Sequence, residues 1–160
     1  MLRLAPLLLL LTFAPALADD LPPREIAGPV TARVVKVRDG DTVEVEAYIW
    51  PLQTVSVAVR LRGVDAPELK GKCAAEEAAA RDARDRLTEL VGEGPVQLTK
   101  ISGDKYFGRV LADMASAGEP DLGRRLLGEG LVDAYDGGRR RDWCAALGFR
   151  SGDGDTPSRG

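Results

Sequence analysis

The chain has 160 residues, 29% of them charged and 5% aromatic, and its 22 Lys and Arg against 25 Asp and Glu give a formal charge of −3. It contains no histidine, which excludes Ser-His and Cys-His nucleophilic machinery and His-ligated zinc. A net acidic chain exerts no global pull on polyanions, so any nucleic-acid binding must come from a local cluster of Arg and Lys.

Residues 1–18, "MLRLAPLLLLLTFAPALA", combine one basic residue, a leucine-rich stretch and the small-x-small site Ala16-Leu17-Ala18. This is the pattern of a secretory signal cut after Ala18; the apolar run is too short and too interrupted by proline for a convincing membrane span, and a retained anchor is the poorer alternative. The mature protein is expected outside the cytoplasm, secreted or periplasmic, with no membrane attachment. Losing Arg3 takes the formal charge from −3 to −4. The remaining length suits one domain on a single core. It is expected over 30–150, after a leader at 19–29 and before a disordered Gly/Ser/Asp/Pro tail at 151–160. Cys73 and Cys144 are the only cysteines. In an oxidising compartment two thiols most simply form one disulfide. It would close a loop of about 70 residues, stabilising by roughly 4 kcal/mol in the chain-entropy model.

Along the domain, "TARVVKV" (31–37) and "DTVEVEAYI" (41–49) alternate apolar and polar residues on either side of an Asp-Gly turn, with Val43, Val45 and Ala47 on one face. "TVSVAVRLRGV" (54–64) places Val55, Val57, Val59 and Leu61 on one face and Ala58, Arg60 and Arg62 on the other. Three such strands in succession imply a meander. The texture then turns helical in "AAEEAAARDARDRLTELV" (74–91), where Ala79, Ala83, Leu87 and Leu90 form a stripe and Gly92 and Gly94 end it. "PVQLTKI" (95–101) and "GRVLADM" (108–114) read as two more strands, "DLGRRLLGEG" (121–130) as a short helix, and "RRRDWCAAL" (139–147) as a last one. The order predicts an α+β, mainly β fold: a five-stranded barrel of the oligonucleotide/oligosaccharide-binding (OB) type with about three appended helices.

The tetrapeptide Asp-Gly-Asp-Thr occurs at 39–42 and again at 153–156. The second copy sits in the tail without partners. In the first, Asp41 shares parity with Val43 and Val45, so its carboxylate starts on the core face, a costly place unless a cation or donors satisfy it. In "RLRGVDAPEL" (60–69), Pro67 holds the chain extended between Asp65 and Glu68. Pairing across the meander would bring this loop beside Asp41. Three carboxylates plus backbone carbonyls then make an oxygen-rich site for a hard cation, calcium or magnesium. In "GDKYFGRVLAD" (103–113), Arg109 opens a strand behind Lys105 and Tyr106. With Arg60 it forms a pair of guanidinium forks suited to clamping a phosphate. Each piece alone is ordinary turn or surface chemistry, and "GRRRDW" (138–143) is expected to be a solvated basic face.

As a set, "DGDTVEV", "VRLRGVDAPE", "DKYFGRVLA" and "LLGEGLVDAY" resemble the staphylococcal nuclease (thermonuclease) family over roughly residues 30–136, with spacing and strand–helix order kept. The resemblance implies calcium, in preference to magnesium, bound by the Asp41 and Asp65 carboxylates and the Ala66 carbonyl, with Asp39 supporting them from behind. It makes Glu68 the general base or the group orienting the attacking water, and gives Arg60 and Arg109 to the phosphate. Lys105, Tyr106 and Tyr135 would line the nucleotide pocket. The chain departs from the family pattern in an extra residue, Phe107, between Tyr106 and Gly108. It also has Ala66 where the family often has Thr, and a segment after Leu131 that is one residue shorter. The implied function is a secreted, calcium-dependent phosphodiesterase acting on DNA and RNA, preferably single-stranded, and leaving 5′-hydroxyl and 3′-phosphate ends. The alternative is a non-catalytic OB module that binds single-stranded nucleic acid or a protein partner. Such a module has no need of Glu68 or the arginine pair, and would want stacking aromatics that this chain largely lacks. A monomer is expected.

Overall fold

A computed structural model describes residues 24–148. The signal sequence, the leader up to residue 23 and the tail with the second Asp-Gly-Asp-Thr lie outside the described residues. The elements in chain order are β1 (Glu25–Ile26), β2 (Val30–Val37), β3 (Thr42–Trp50), β4 (Gln53–Leu61), β5 (Val64–Asp65), α1 (Ala74–Val91), β6 (Val96–Gly103), β7 (Arg109–Ala115), α2 (Leu122–Gly128), β8 (Asp133–Ala134) and α3 (Trp143–Gly148).

The alternating segments form the expected antiparallel meander, with Val34 opposite Val45 in β2–β3 and Thr42 opposite Arg60 in β3–β4. β6 pairs antiparallel with both β2 and β7, and β7 lies parallel to β4, Ala58 opposite Arg109. That parallel pair is possible because the chain between its strands includes α1 and β6, the long crossover that parallel strands need. The circuit β2-β3-β4-β7-β6 closes on β2 as a five-stranded mixed barrel, and β1 adds a short strand to β6. This is the mainly β OB architecture with three helices that the element order predicts.

Val43, Val45, Ala47, Val59 and Leu61 fill the barrel with Val96, Leu98, Ala112 and Met114, and Leu87, Leu122 and Leu126 of the helices join the same core. Val55 does not follow the alternation inward: it is 41% exposed, because the β3–β4 hairpin runs past the barrel and carries Tyr48, Ile49, Trp50 and Leu52 into solvent with it. The inner face of α1 is also set differently from the expected stripe. Its buried residues are Glu76, Ala80, Ala83, Leu87 and Val91, and Ala79 and Leu90 sit half-buried on the flanks. Glu76 has no place in an apolar stripe, yet its carboxylate accepts the backbone N–H groups of Lys72 (2.9 Å) and Glu68 (3.4 Å) and so ties the loop before α1 to the helix. The expected disulfide joins Cys73, at the head of α1, to Cys144 in α3. Among the described residues no helix is long and apolar enough to cross a membrane.

Candidate active site

The site begins at the turn between β2 and β3. The Asp39 carboxylate accepts the N–H of Asp41 at 3.1 Å and closes that turn from behind. Gly40 between them is buried, and a Cβ there would lie 2.6 Å from the Ala83 Cβ and 2.9 Å from the Ala66 Cβ. Glycine lets α1 and the loop after β5 close directly on the turn. The Leu61 N–H donates to the Asp41 carbonyl at 2.8 Å, which fixes the end of β4 beside the start of β3.

Asp41 and Asp65 are 3% and 2% exposed, and Arg60 bridges them. Its Nη1 donates to Asp41 at 2.8 Å and its Nη2 to Asp65 at 2.9 Å and to the Val64 carbonyl at 3.2 Å. Asp41 also accepts the Thr42 hydroxyl at 2.8 Å and the Ala66 N–H at 2.9 Å. Even so, burial pushes the Asp41 carboxyl up to about 6. The Arg60 charge and the two donated hydrogen bonds pull it down, and the neighbouring Asp39 charge adds to the rise. Loss of water around the ionised carboxylate thus outweighs what Arg60 and the two donors give back.

Arg109 opens β7, where its guanidinium is ion-paired with Asp104 and stacks 4.5 Å above the Tyr106 ring. The Lys105 ammonium lies 5.2 Å from the same ring. Phe107 stays in the loop between β6 and β7, fully exposed, and Gly108 with φ of 76° returns the chain to the strand. Tyr135 follows β8, donates its hydroxyl to the Gly138 carbonyl at 3.1 Å, and lies 5.9 Å from the Arg60 guanidinium. Arg60, Glu68, Tyr106, Arg109 and Tyr135 line one open cleft of about 410 Å³. The structure thus gathers Arg60, Asp65, Glu68, Lys105, Tyr106, Arg109 and Tyr135 around a single cleft, and joins Asp41 to it through Arg60, Ala66 through its N–H on Asp41, and Asp39 through the turn behind.

Two expectations need correction. Asp41, Asp65 and Glu68 do not converge on one point. Among the described residues, the group of three possible ligands within 4.8 Å of one another is Cys73, Glu76 and Cys144, where the sulfurs are bonded to each other and are no metal site. The second correction concerns the run 138–143. It is not simply a solvated face, because Arg140 reaches into the site. Its Nε donates to Asp65 at 2.8 Å, its Nη2 to the Ala66 carbonyl at 3.0 Å and its Nη1 to Glu68 at 2.5 Å. The signal that could have found it is the disulfide: Arg140 lies four residues before Cys144, and the partner Cys73 ends the loop that carries Asp65 and Glu68.

No curated protein matches the chain. The family model described as staphylococcal nuclease homologue matches residues 58–143, a span that holds Arg60, Asp65, Glu68, Arg109 and Arg140. With the closed barrel and the cleft at its strand ends, that match establishes that the chain belongs to the staphylococcal nuclease homologue family and has the nuclease-like character of its members.

Proposed function

We propose that the chain is a calcium-dependent phosphodiesterase that works outside the cytoplasm and hydrolyses DNA and RNA, with preference for single strands. The observation that carries this reading is the buried Asp41–Asp65 pair, bridged by Arg60 at the base of a cleft that also holds Glu68 and Arg109. The donors at the base are all oxygen: two carboxylates and the Ala66 carbonyl. That set fits a hard cation, and a cation there would offset the cost of holding the buried Asp41 carboxylate ionised. With two carboxylate ligands the affinity should be modest and suited to calcium-rich surroundings. When bound by these residues, calcium supplies charge that polarises a phosphoryl oxygen.

The remaining chemistry falls to side chains. Glu68 is 52% exposed at the edge of the cleft, where its carboxylate can take a proton from an attacking water. Arg60 and Arg109 meet the negative charge that grows on the phosphate as the water adds, a stabilisation that strengthens where water is excluded. Tyr106 and Tyr135 offer ring faces to the nucleotide, and Lys105 adds charge for the backbone. The acidic balance of the rest of the chain repels the polyanion, so binding depends on this local cluster of Arg and Lys, and salt weakens those phosphate contacts.

Glu68→Gln tests the assignment. It keeps the shape of the side chain but loses the basic oxygen, so turnover should fall by about 10²–10⁴-fold while the calcium dissociation constant stays within a few-fold. Unchanged turnover would take Glu68 out of proton transfer.

A further inference from the structure

Arg140 satisfies the acceptors that the proposed function gives to the metal and to the attacking water. One guanidinium spans the Asp65 carboxylate, the Ala66 carbonyl and the Glu68 carboxylate. Arg60 also touches Asp65, but through the other carboxylate oxygen, so the two arginines do not duplicate each other. They differ in freedom as well. The Arg60 side chain is 15% exposed and tied to both aspartates, whereas the Arg140 side chain is 41% exposed and open to the outside.

The backbone that carries Arg140 is pinned at both ends. Before it, β8 pairs with β5, Asp133 opposite Asp65, and the Tyr135 N–H donates to the Gly63 carbonyl at 2.8 Å. The Gly138 N–H then donates to Asp136 at 3.0 Å. After it, Trp143 is buried and Cys144 is bonded to Cys73. The side chain can therefore leave the carboxylates and return without its backbone moving, and arginine keeps its charge throughout.

We propose that Arg140 is a tethered counter-cation that competes with the divalent ion for Asp65 and the Ala66 carbonyl, and that covers Glu68 while it does so. In the metal-free protein its guanidinium balances the carboxylates. Metal can use the same oxygens only after the guanidinium has swung out toward solvent. The chain therefore sets a calcium threshold higher than its aspartates alone would give. This inference rests on the calcium reading of the site.

The test is calorimetric titration of the full folded, oxidised protein with calcium chloride. The proteins compared are wild type, Arg140→Ala, Arg139→Ala and Asp41→Asn. Arg139 is exposed on the same strap, and its removal changes the net charge equally. Losing charge-assisted hydrogen bonds to the competitor should tighten calcium binding by on the order of tenfold or more in Arg140→Ala. Arg139→Ala should stay within about twofold, because exposed charges are screened. Thermal melting gives a second readout: Arg140→Ala should melt lower than wild type in chelator and recover in saturating calcium, whereas a purely structural residue would leave a deficit in both. A dissociation constant in Arg140→Ala equal to or weaker than wild type overturns the proposal. If calcium binding in that case is still abolished by Asp41→Asn, the calcium site itself stands. If neither wild type nor Arg140→Ala binds calcium, the proposal and the calcium reading fall together.

Discussion

Replacing Asp41 by Asn should make the metal-free protein more stable at neutral pH while removing a calcium ligand. Burial lifts the Asp41 carboxyl to about 6 from an ordinary 3.8. A group whose folded pKa lies above its unfolded value holds its proton more tightly when folded. Its contribution to stability is therefore complete below about pH 4 and is lost as pH rises through 6. The difference amounts to about 3 kcal/mol by pH 7. Asn carries no charge and keeps a carbonyl for the Ala66 N–H, so it stands in for the protonated acid. Urea unfolding in chelator should show Asp41→Asn more stable than wild type by up to about 3 kcal/mol at pH 7.5, with the gap closing near pH 4. Saturating calcium should raise the wild type and leave the variant unmoved. A variant less stable than wild type at pH 7.5 in chelator would mean instead that the pairing with Arg60 outweighs the cost of burying the charge.

Arg60→Ala strips the shared partner from two carboxylates that are almost wholly buried, which should cost about 3–5 kcal/mol in chelator. Calcium at 100 times the wild-type dissociation constant should return about 2.7 kcal/mol to wild type. At that same concentration the variant, whose unpaired carboxylates should bind the ion more tightly, should gain more, so its unfolding curves with and without calcium should lie further apart. Equal spacing would detach Arg60 from the metal site. Gly40→Ala places a methyl group into Ala83 and Ala66, and overpacking of this kind costs about 1–3 kcal/mol. Because the displaced loop carries Ala66, calcium affinity should fall together with the melting temperature, and a loss of stability alone would separate the turn from the ligands.

Much of the site could be read because its residues lie at the ends of strands whose alternation is plain. Asp41 shares the parity of Val43 and Val45 and is buried as that parity requires, and the β3–β4 register sets Thr42 opposite Arg60 beside it. The helix over 74–91 was legible to the residue, because Gly92 and the composition change bound it sharply. Its inner face was not, since Glu76 is buried for its hydrogen bonds to the preceding loop rather than for apolar contact. The two-residue strands β5 and β8 carry no local pattern and exist through a pairing between segments almost 70 residues apart. Arg140 was hidden for the same reason: within its own run it is one of three adjacent arginines, and only the disulfide and the β5–β8 pairing distinguish it.

Digestion of single-stranded DNA by the oxidised protein in calcium, in magnesium and in chelator decides whether the cleft is catalytic. Cleavage that requires calcium, stops with chelator and leaves 3′-phosphate ends is the predicted result. A folded, oxidised protein that binds the strand but cleaves it in none of these conditions would be a binding barrel and not a nuclease.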